Sequence, residues 1–357
     1  YGITGNDGIQ DYNYYSLYTS NAQAYNGALG LYAYQVGNPV YSWEQNNKLE
    51  IAADLGFVKN RILLTASWYR NRSDNQLVWY PLSSQTGFNG TQQNLNALLQ
   101  TTSTEFELTS VNIKHTNFNW QTTFNITFPG SKLVEFPNLA SSAYAGTYVI
   151  GQPVKLFRGY HYTGLSATGV PQFLDDSKDG NITSADYVNI GTTIPKYYGG
   201  LGNTISWKGF SLDIFLHFVK QKGYNAYKAF YFPPGYKVNV PAFYVKDTWD
   251  ANTNPNGTQP VLTTTVSNSA GSGYAYVSRF YYSDYAFSDA SFIRLKNLAL
   301  SYTLPHKLID KLHAQNLRVY LQGQNLFTKT NYQGLDPEVQ NATPVLKTLT
   351  AGFQVNF

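Results

Sequence analysis

The sequence predicts an all-β protein, an antiparallel transmembrane β-barrel with long extracellular loops. Three observations carry this. Side chains alternate between bulky apolar and uncharged polar over many short stretches. The connections between those stretches are alternately tight and long. Aromatics make up 16% of the 357 residues while charged residues make up only 13%, against about 25% charge in ordinary soluble domains.

The alternation is plainest at 117–128. Phe118, Trp120, Thr122, Phe124, Ile126 and Phe128 share one parity, and Asn117, Asn119, Gln121, Thr123, Asn125 and Thr127 the other. Successive side chains of a strand point to opposite faces, so this ribbon has one oily face and one amide-and-hydroxyl face. The same parity holds for Leu49, Ile51, Ala53, Leu55 and Phe57, and for Phe210, Leu212, Ile214, Leu216 and Phe218. Three later ribbons repeat it: Leu298 to Leu304, Leu317 to Leu321, and Leu349 to Phe357. About nine complete strands and a partial one at 1–4 are expected.

Tight turns are expected at 57–61, 115–117 and 208–209, and long connections near 72–102, 129–198, 219–290 and 328–345. Transmembrane barrels have this rhythm, whereas compact soluble domains seldom carry several loops beyond about 15 residues. Trp120 and Trp207 sit beside tight turns, where an interfacial aromatic girdle belongs. Hydrocarbon offers no hydrogen bonds, so spanning strands must pair into a closed wall. A soluble all-β domain with an aromatic core is the competing reading of the same alternation.

Composition excludes other classes. No apolar run is long enough for a membrane helix, and the aromatic content is too high for a disordered chain. The net charge of +4 offers no nucleic-acid groove. With Cys 0, disulfides, thiolate metal sites and cysteine nucleophiles are absent. His115, His161, His217, His306 and His313 form no paired ligand spacing. His217 reads as a polar wall residue on the lumen side. Gly199-Gly200-Leu201-Gly202 opens a strand, not a helix, and so fails as a phosphate loop. No nucleophile or acid–base constellation appears, and no enzyme activity is expected.

Several segments, in order along the chain, resemble SusC/RagA-type TonB-dependent outer-membrane transporters. They are Tyr1-Gly-Ile-Thr-Gly-Asn6, Asn38-Pro39 with Trp43-Glu44, Asn60-Arg61, the run from Asp289 to Pro305, the run from Asn316 to Phe327, and Tyr332-Gln-Gly-Leu-Asp-Pro-Glu338. The resemblance implies that 1–357 is the C-terminal portion of a plugged barrel of about 22 strands, with the plug and earlier strands outside this chain. It further implies the outer membrane of a Gram-negative bacterium. The partners it implies are a SusD-like surface lipoprotein, the TonB complex acting through the missing N-terminal part, and the lipid bilayer. The implied function is nutrient uptake of glycans or oligopeptides. The rivals are a non-transporting barrel that scaffolds a larger cell-envelope complex, and a soluble carbohydrate-binding β-protein.

Two loop segments are candidate sites. Residues 175–186 fit a twelve-residue oxygen-ligand loop for a calcium ion: Asp175, Ser177 and Asp179 at positions 1, 3 and 5, Gly180 at the sharp turn, the Asn181 carbonyl at 7, Thr183 at 9 and Asp186 at 12. Ser177 replaces the usual Asp or Asn, and Asp186 is shorter than the usual Glu. A solvated Asp-Gly turn is the alternative. The second segment is 224–236, where Tyr224, Tyr227, Tyr231, Phe232 and Tyr236 offer flat rings to a sugar face, a peptide or a lid protein; Tyr281, Tyr282 and Tyr285 are candidates to join it. An interfacial or loop-packing cluster is the alternative there.

Overall fold

A computed structural model describes residues 1–6, 8, 11–229, 239–262, 278–309, 314–340 and 342–357. Ten strands form one antiparallel sheet in sequence order: β1 (Gly2–Asn6), β2 (Glu44–Phe57), β3 (Ile62–Asp74), β4 (Leu98–His115), β5 (Phe118–Glu135), β6 (Tyr197–Trp207), β7 (Phe210–Lys220), β8 (Phe292–Thr303), β9 (Asn316–Thr330) and β10 (Thr348–Asn356). One partial strand and nine long ones match the expectation from sequence. β1 and β10 are the two edges of the sheet.

The tight turns follow from their residues. Lys208 and Gly209 both have positive φ, 44° and 92°, as a two-residue hairpin requires when its twist must match the flanking strands. Val58, Lys59 and Asn60 are likewise left-handed, and the turn is tied down where the Arg61 guanidinium donates to the Val111 and Asn112 carbonyls. One connection on this side breaks the rhythm. Between β8 and β9 the chain runs through 304–315 and forms a helical turn, His306–Ile309, with Ile309 buried.

The chain divides into two compact units, 1–53 with 67–104 and 129–154, and 54–66 with 105–128 and 155–357. In the first, β1 pairs with β2 from Gly2↔Lys48 to Asn6↔Glu44, and Ala97, Leu133 and Phe136 form a small core under the loops. In the second, the register carries the oily parity from strand to strand. Ile205 pairs with Trp120 and Leu212, and Leu212 with Leu300. Leu300 in turn faces Leu321, and Leu321 faces Ala351.

Among the described residues, neither buried cluster lies beneath this face. Leu300, Leu321, Phe327, Leu349 and Phe353 are exposed, the last by 73%. Phe124 and Leu212 are half-buried and belong to neither core cluster. Two aromatic bands bound the face in the second unit. Trp207 stacks on Phe210, and the Phe210 ring meets Tyr302 tilted at 34°, at the tight-turn end. At the other end Tyr197 lies 5.9 Å from Phe128 and 6.4 Å from Phe218. From Tyr197 to Trp207 is ten residue steps; at ~3.3 Å each and ~40° of tilt, that is ~25 Å, the height of an outer-membrane barrel's apolar band. Polar exceptions on the oily parity are satisfied internally: Trp120 Nε1 and Thr122 Oγ1 both donate to Asn203 Oδ1, at 2.9 and 2.7 Å.

The opposite face is polar. At the tight-turn end Ser211, Ser301, Thr303, Asn316, Arg318, Gln354 and Asn356 line one cavity of about 340 Å³. Phe215 and Tyr320 are aromatics on this face, Tyr320 over Gly352. The Phe215 ring covers Gly200 so closely that a Cβ there would lie 2.6 Å from Cε2, which is why Gly200 carries no side chain.

Candidate site on the polar face and its loops

The second unit gathers its charged and aromatic chemistry at the long-connection end. A bulge in β8 sets the first part of it. Register against β7 slips between Leu295 and Asn297, leaving Lys296 as the extra residue, so Arg294, opposite His217, and Asn297, opposite Phe215, both keep the polar face. Arg294 is 1% exposed. It donates Nη2 to Asp336 Oδ1 at 2.7 Å, Nη1 to Glu338 Oε2 at 2.6 Å and Nε to Thr328 Oγ1 at 2.9 Å. Lys296 Nζ donates to Glu338 at 2.8 Å, and the Glu338 amide caps Asp336 Oδ1. Both carboxylates come from the β9–β10 connection, so this network clamps that loop to the wall. Further stitches agree: Gln221 donates to the Pro337 carbonyl, Gln340 Oε1 accepts the Tyr224 amide, and the Tyr332 hydroxyl donates to the Tyr224 carbonyl.

Arg294, Asp336 and Glu338 each stand in one of the SusC/RagA-like segments, but nothing in the sequence joins them. The available signal was charge scarcity. An arginine on the polar parity of a spanning strand needs a carboxylate, and Asp336 and Glu338 stand two residues apart in a turn closed by the Gln340 amide on the Asp336 carbonyl.

Aromatics form the second part. Tyr227, Tyr244, Phe280 and Ala286 are a buried cluster, with Tyr162, Phe173, Val240 and Tyr285 packed on it. The Tyr227 hydroxyl donates to Gln259 Oε1 at 2.6 Å, and burial, its main perturbation, pushes its pKa well above the tyrosine range. Tyr227 is therefore a packing residue of the loop core, which corrects the expectation that it offers a ring to a ligand. Tyr224 is half-buried and faces Phe157 and Phe287. Tyr231, Phe232 and Tyr236 lie outside the described residues. Lys228 sits between the rings, its Nζ 3.5, 4.5 and 4.6 Å from the centroids of Tyr281, Tyr282 and Tyr224. Burial pulls its ammonium down to about 8, while the ring faces favour the charge. Tyr282, 44% exposed, is the ring of this group that is open to a ligand. We expect Tyr227→Ala to unfold the loops, at a cost of about 3–5 kcal/mol, and Tyr282→Ala to leave loop protease resistance unchanged. Limited proteolysis separates the two.

In the twelve-residue loop, Asp175 Oδ1 accepts the Lys178 amide at 2.7 Å and Oδ2 the Gly180 amide at 2.9 Å. Asp179 Oδ1 accepts the Asn181 amide. Asp186 is buried, and its two oxygens take the Ser177 and Thr183 amides at 2.9 and 2.7 Å; those hydrogen bonds hold its carboxyl below the usual range. Ser177, Asp179, Asn181 and Thr183 are exposed. The oxygen donors are of the type calcium takes, and Gly180 has the left-handed φ, +81°, that the turn needs. Among the described residues, no group of three or more His, Cys, Asp or Glu gathers around one point. Nearby, His161 Nδ1 meets Asp284 Oδ2 at 2.5 Å, with the Tyr162 amide on Oδ1.

No family model matches the chain. Curated relatives do. TonB-dependent receptor P3 of Formosa agariphila is 27% identical over 370 residues, 95% of this chain and 35% of the relative. TonB-dependent receptor SusC of Bacteroides thetaiotaomicron is 24% identical over the whole chain, which covers 37% of that protein. Among solved structures, the RagAB peptide transporter superposes with a TM-score of 0.79 at 25% identity, covering 99% of this chain and 40% of that one. The same importer in its closed-closed state gives 0.81. The chain thus spans a little over a third of the length of these curated relatives.

Proposed function

We propose that this chain, which is of the SusC/RagA type from end to end, is the C-terminal wall of an outer-membrane importer in a Gram-negative bacterium. The importer takes up glycans or oligopeptides by TonB-dependent transport and works with a SusD-like lipoprotein. The observation that carries the reading is the exposed oily face. Leu300, Leu321, Phe327, Leu349 and Phe353 would be an aggregation surface in water, since soluble monomers rarely expose a patch of that size. They suit acyl chains, and the polar parity with its side-chain-lined cavity suits a wet interior. The relatives agree: those of this architecture are named receptors and transporters.

On this reading, the Arg294 clamp fixes one outward loop on the lumen wall, and the aromatic core around Tyr227 gives the larger loops a rigid body. Rigid loops present Tyr282 and its neighbours to cargo or to a lid. The test is uptake and co-purification in the full-length protein. A surface lipoprotein should co-purify, and a TonB-deficient host should lose uptake. Co-purification with secretion or adhesion machinery, without uptake, would favour the scaffold.

For loop 175–186 we also propose a calcium ion, held by oxygens of Asp175, Ser177, Asp179, Asn181, Thr183 and Asp186; Asp175 and Asp186 each already accept two backbone amides, which fixes their carboxylates and leaves each oxygen a second lone pair. Extracellular calcium modules bind at about 10⁻⁴–10⁻³ M, so 10 mM calcium should stabilise the loop by about 1.4–2.7 kcal/mol. Calorimetry should show a higher melting temperature with calcium, and Asp175→Ala with Asp179→Ala should abolish the increase. If calcium leaves the wild type unchanged, the loop is only a turn.

A further inference from the structure

The outward face carries lysines where the oily parity predicts grease. Lys220 continues Leu212, Ile214, Leu216 and Phe218 on β7, and Lys329 follows Phe327 on β9, opposite Ile293. Both stand at the long-connection ends of their strands, level with the aromatic band of Phe128, Tyr197 and Phe218: Lys220 pairs with Tyr197, and Lys329 shares a row with Ile293 and Phe218. Two cavities open there. One, of about 340 Å³, is lined by Tyr197, Phe218, Ile293, Ser291, Lys220 and Lys329 among others. The other, of about 410 Å³, adds Lys196 and Lys222. Lys220 and Asp289 line both. Lys222 reaches over Gly191, its Nζ 3.9 Å from where a Cβ would stand. Four lysines thus line the two cavities with a single carboxylate, Asp289, which holds Lys220 Nζ at 3.1 Å with the two side chains 42% and 50% exposed.

We infer that this rim is a binding site for an outer-leaflet lipid with a phosphate-bearing headgroup. Four ammonium groups against one carboxylate leave the site short of negative charge. Lysine at the interface costs little there, and its stem lies along the apolar surface while its head seeks the headgroup layer. The apolar floor of Phe218, Tyr197 and Ile293 meets acyl chains, and the lysines beside it meet phosphate at the level where a lipid presents it. Basic clusters beside apolar spans recognise lipid headgroups in this way. The site is separate from the lumen and its cargo. It rests on the oily face being in contact with lipid.

The experiment is native mass spectrometry of the full-length protein in a neutral detergent, titrated with three probes: monophosphorylated lipid A, the same lipid without phosphate, and inorganic phosphate. The phosphorylated lipid should be retained, and the dephosphorylated lipid and free phosphate should not. Lys220→Gln with Lys329→Gln should weaken retention about 25-fold, at about fivefold per lysine. Asp289→Asn should strengthen it, a result that mere greasiness would not give. Heat-modifiable gel migration confirms that each variant is a folded barrel. If a variant misfolds, the salt dependence of the wild type decides: retention should fall as sodium chloride rises. Equal retention of both lipids, or retention unmoved by the lysine changes or by salt, overturns the site. Loss of the folded barrel by the wild type in detergent overturns the membrane reading instead, so the two failures are distinct.

Discussion

Leu300→Arg is expected to block assembly of the barrel into a bilayer. Leu300 lies mid-strand on β8 with Leu212 and Leu321 as its cross-strand neighbours, and it is 47% exposed and belongs to neither buried cluster. An arginine on the lipid face near the midplane of a barrel costs about 2–4 kcal/mol. Thr303→Arg, three residues along, turns to the polar face, where Thr303 is half-buried at the rim of the side-chain-lined cavity, and should cost far less. The measurement is the folded fraction of full-length protein in vesicles, read by heat-modifiable gel migration. A soluble sandwich would give the opposite ranking, because there the polar parity faces water and the oily parity faces a core.

Arg294→Ala is expected to release the β9–β10 connection from the wall. The guanidinium holds Asp336 and Glu338 while 1% exposed, so removing it strands buried carboxylate. Breaking a buried ion pair from one side costs about 3–5 kcal/mol. Arg294→Lys should rescue only part of this, since an ammonium cannot fork to two carboxylates and also reach Thr328. Hydrogen exchange across 332–340 should accelerate by two to three orders of magnitude in the alanine variant, with the rest of the strands protected. The clamp also has a pH signature. Burial raises the Asp336 carboxyl, but the hydrogen bond and charge of Arg294 more than offset that and leave it below the ordinary carboxylate range. A depressed carboxyl contributes stability above its unfolded pKa and loses it as pH falls through the folded value. The loop should therefore stay closed at neutral pH and open in strong acid.

Strand identity was legible because lipid and water impose a period-2 pattern locally. The six apolar-parity positions of 117–128 settle one strand without reference to any other. Strand length was less legible. β5 continues to Glu135 and β2 starts at Glu44, because beyond the aromatic band nothing compels alternation. The clamp was illegible for a different reason: Arg294 and Asp336 are 42 residues apart, and their pairing depends on the bulge at Lys296, which no periodicity announces. Tyr227 shows the limit for aromatics. A ring for cargo and a ring for packing are the same residue in the same Tyr-rich loop, and only the burial supplied by Tyr244, Phe280 and Ala286 distinguishes them.

The two-faced wall can be read directly by cysteine scanning, since the chain has no native cysteine. Single cysteines at 118–128 of full-length protein in vesicles would be exposed to a water-soluble maleimide and, separately, to a nitroxide quencher placed in the acyl region. Cysteines replacing Asn119, Gln121, Thr123 and Asn125 should react with the maleimide and escape quenching. Those replacing Trp120, Thr122, Phe124 and Ile126 should resist the maleimide and be quenched once labelled in detergent. Reactivity without a two-residue period, or with the two parities exchanged, would contradict the account.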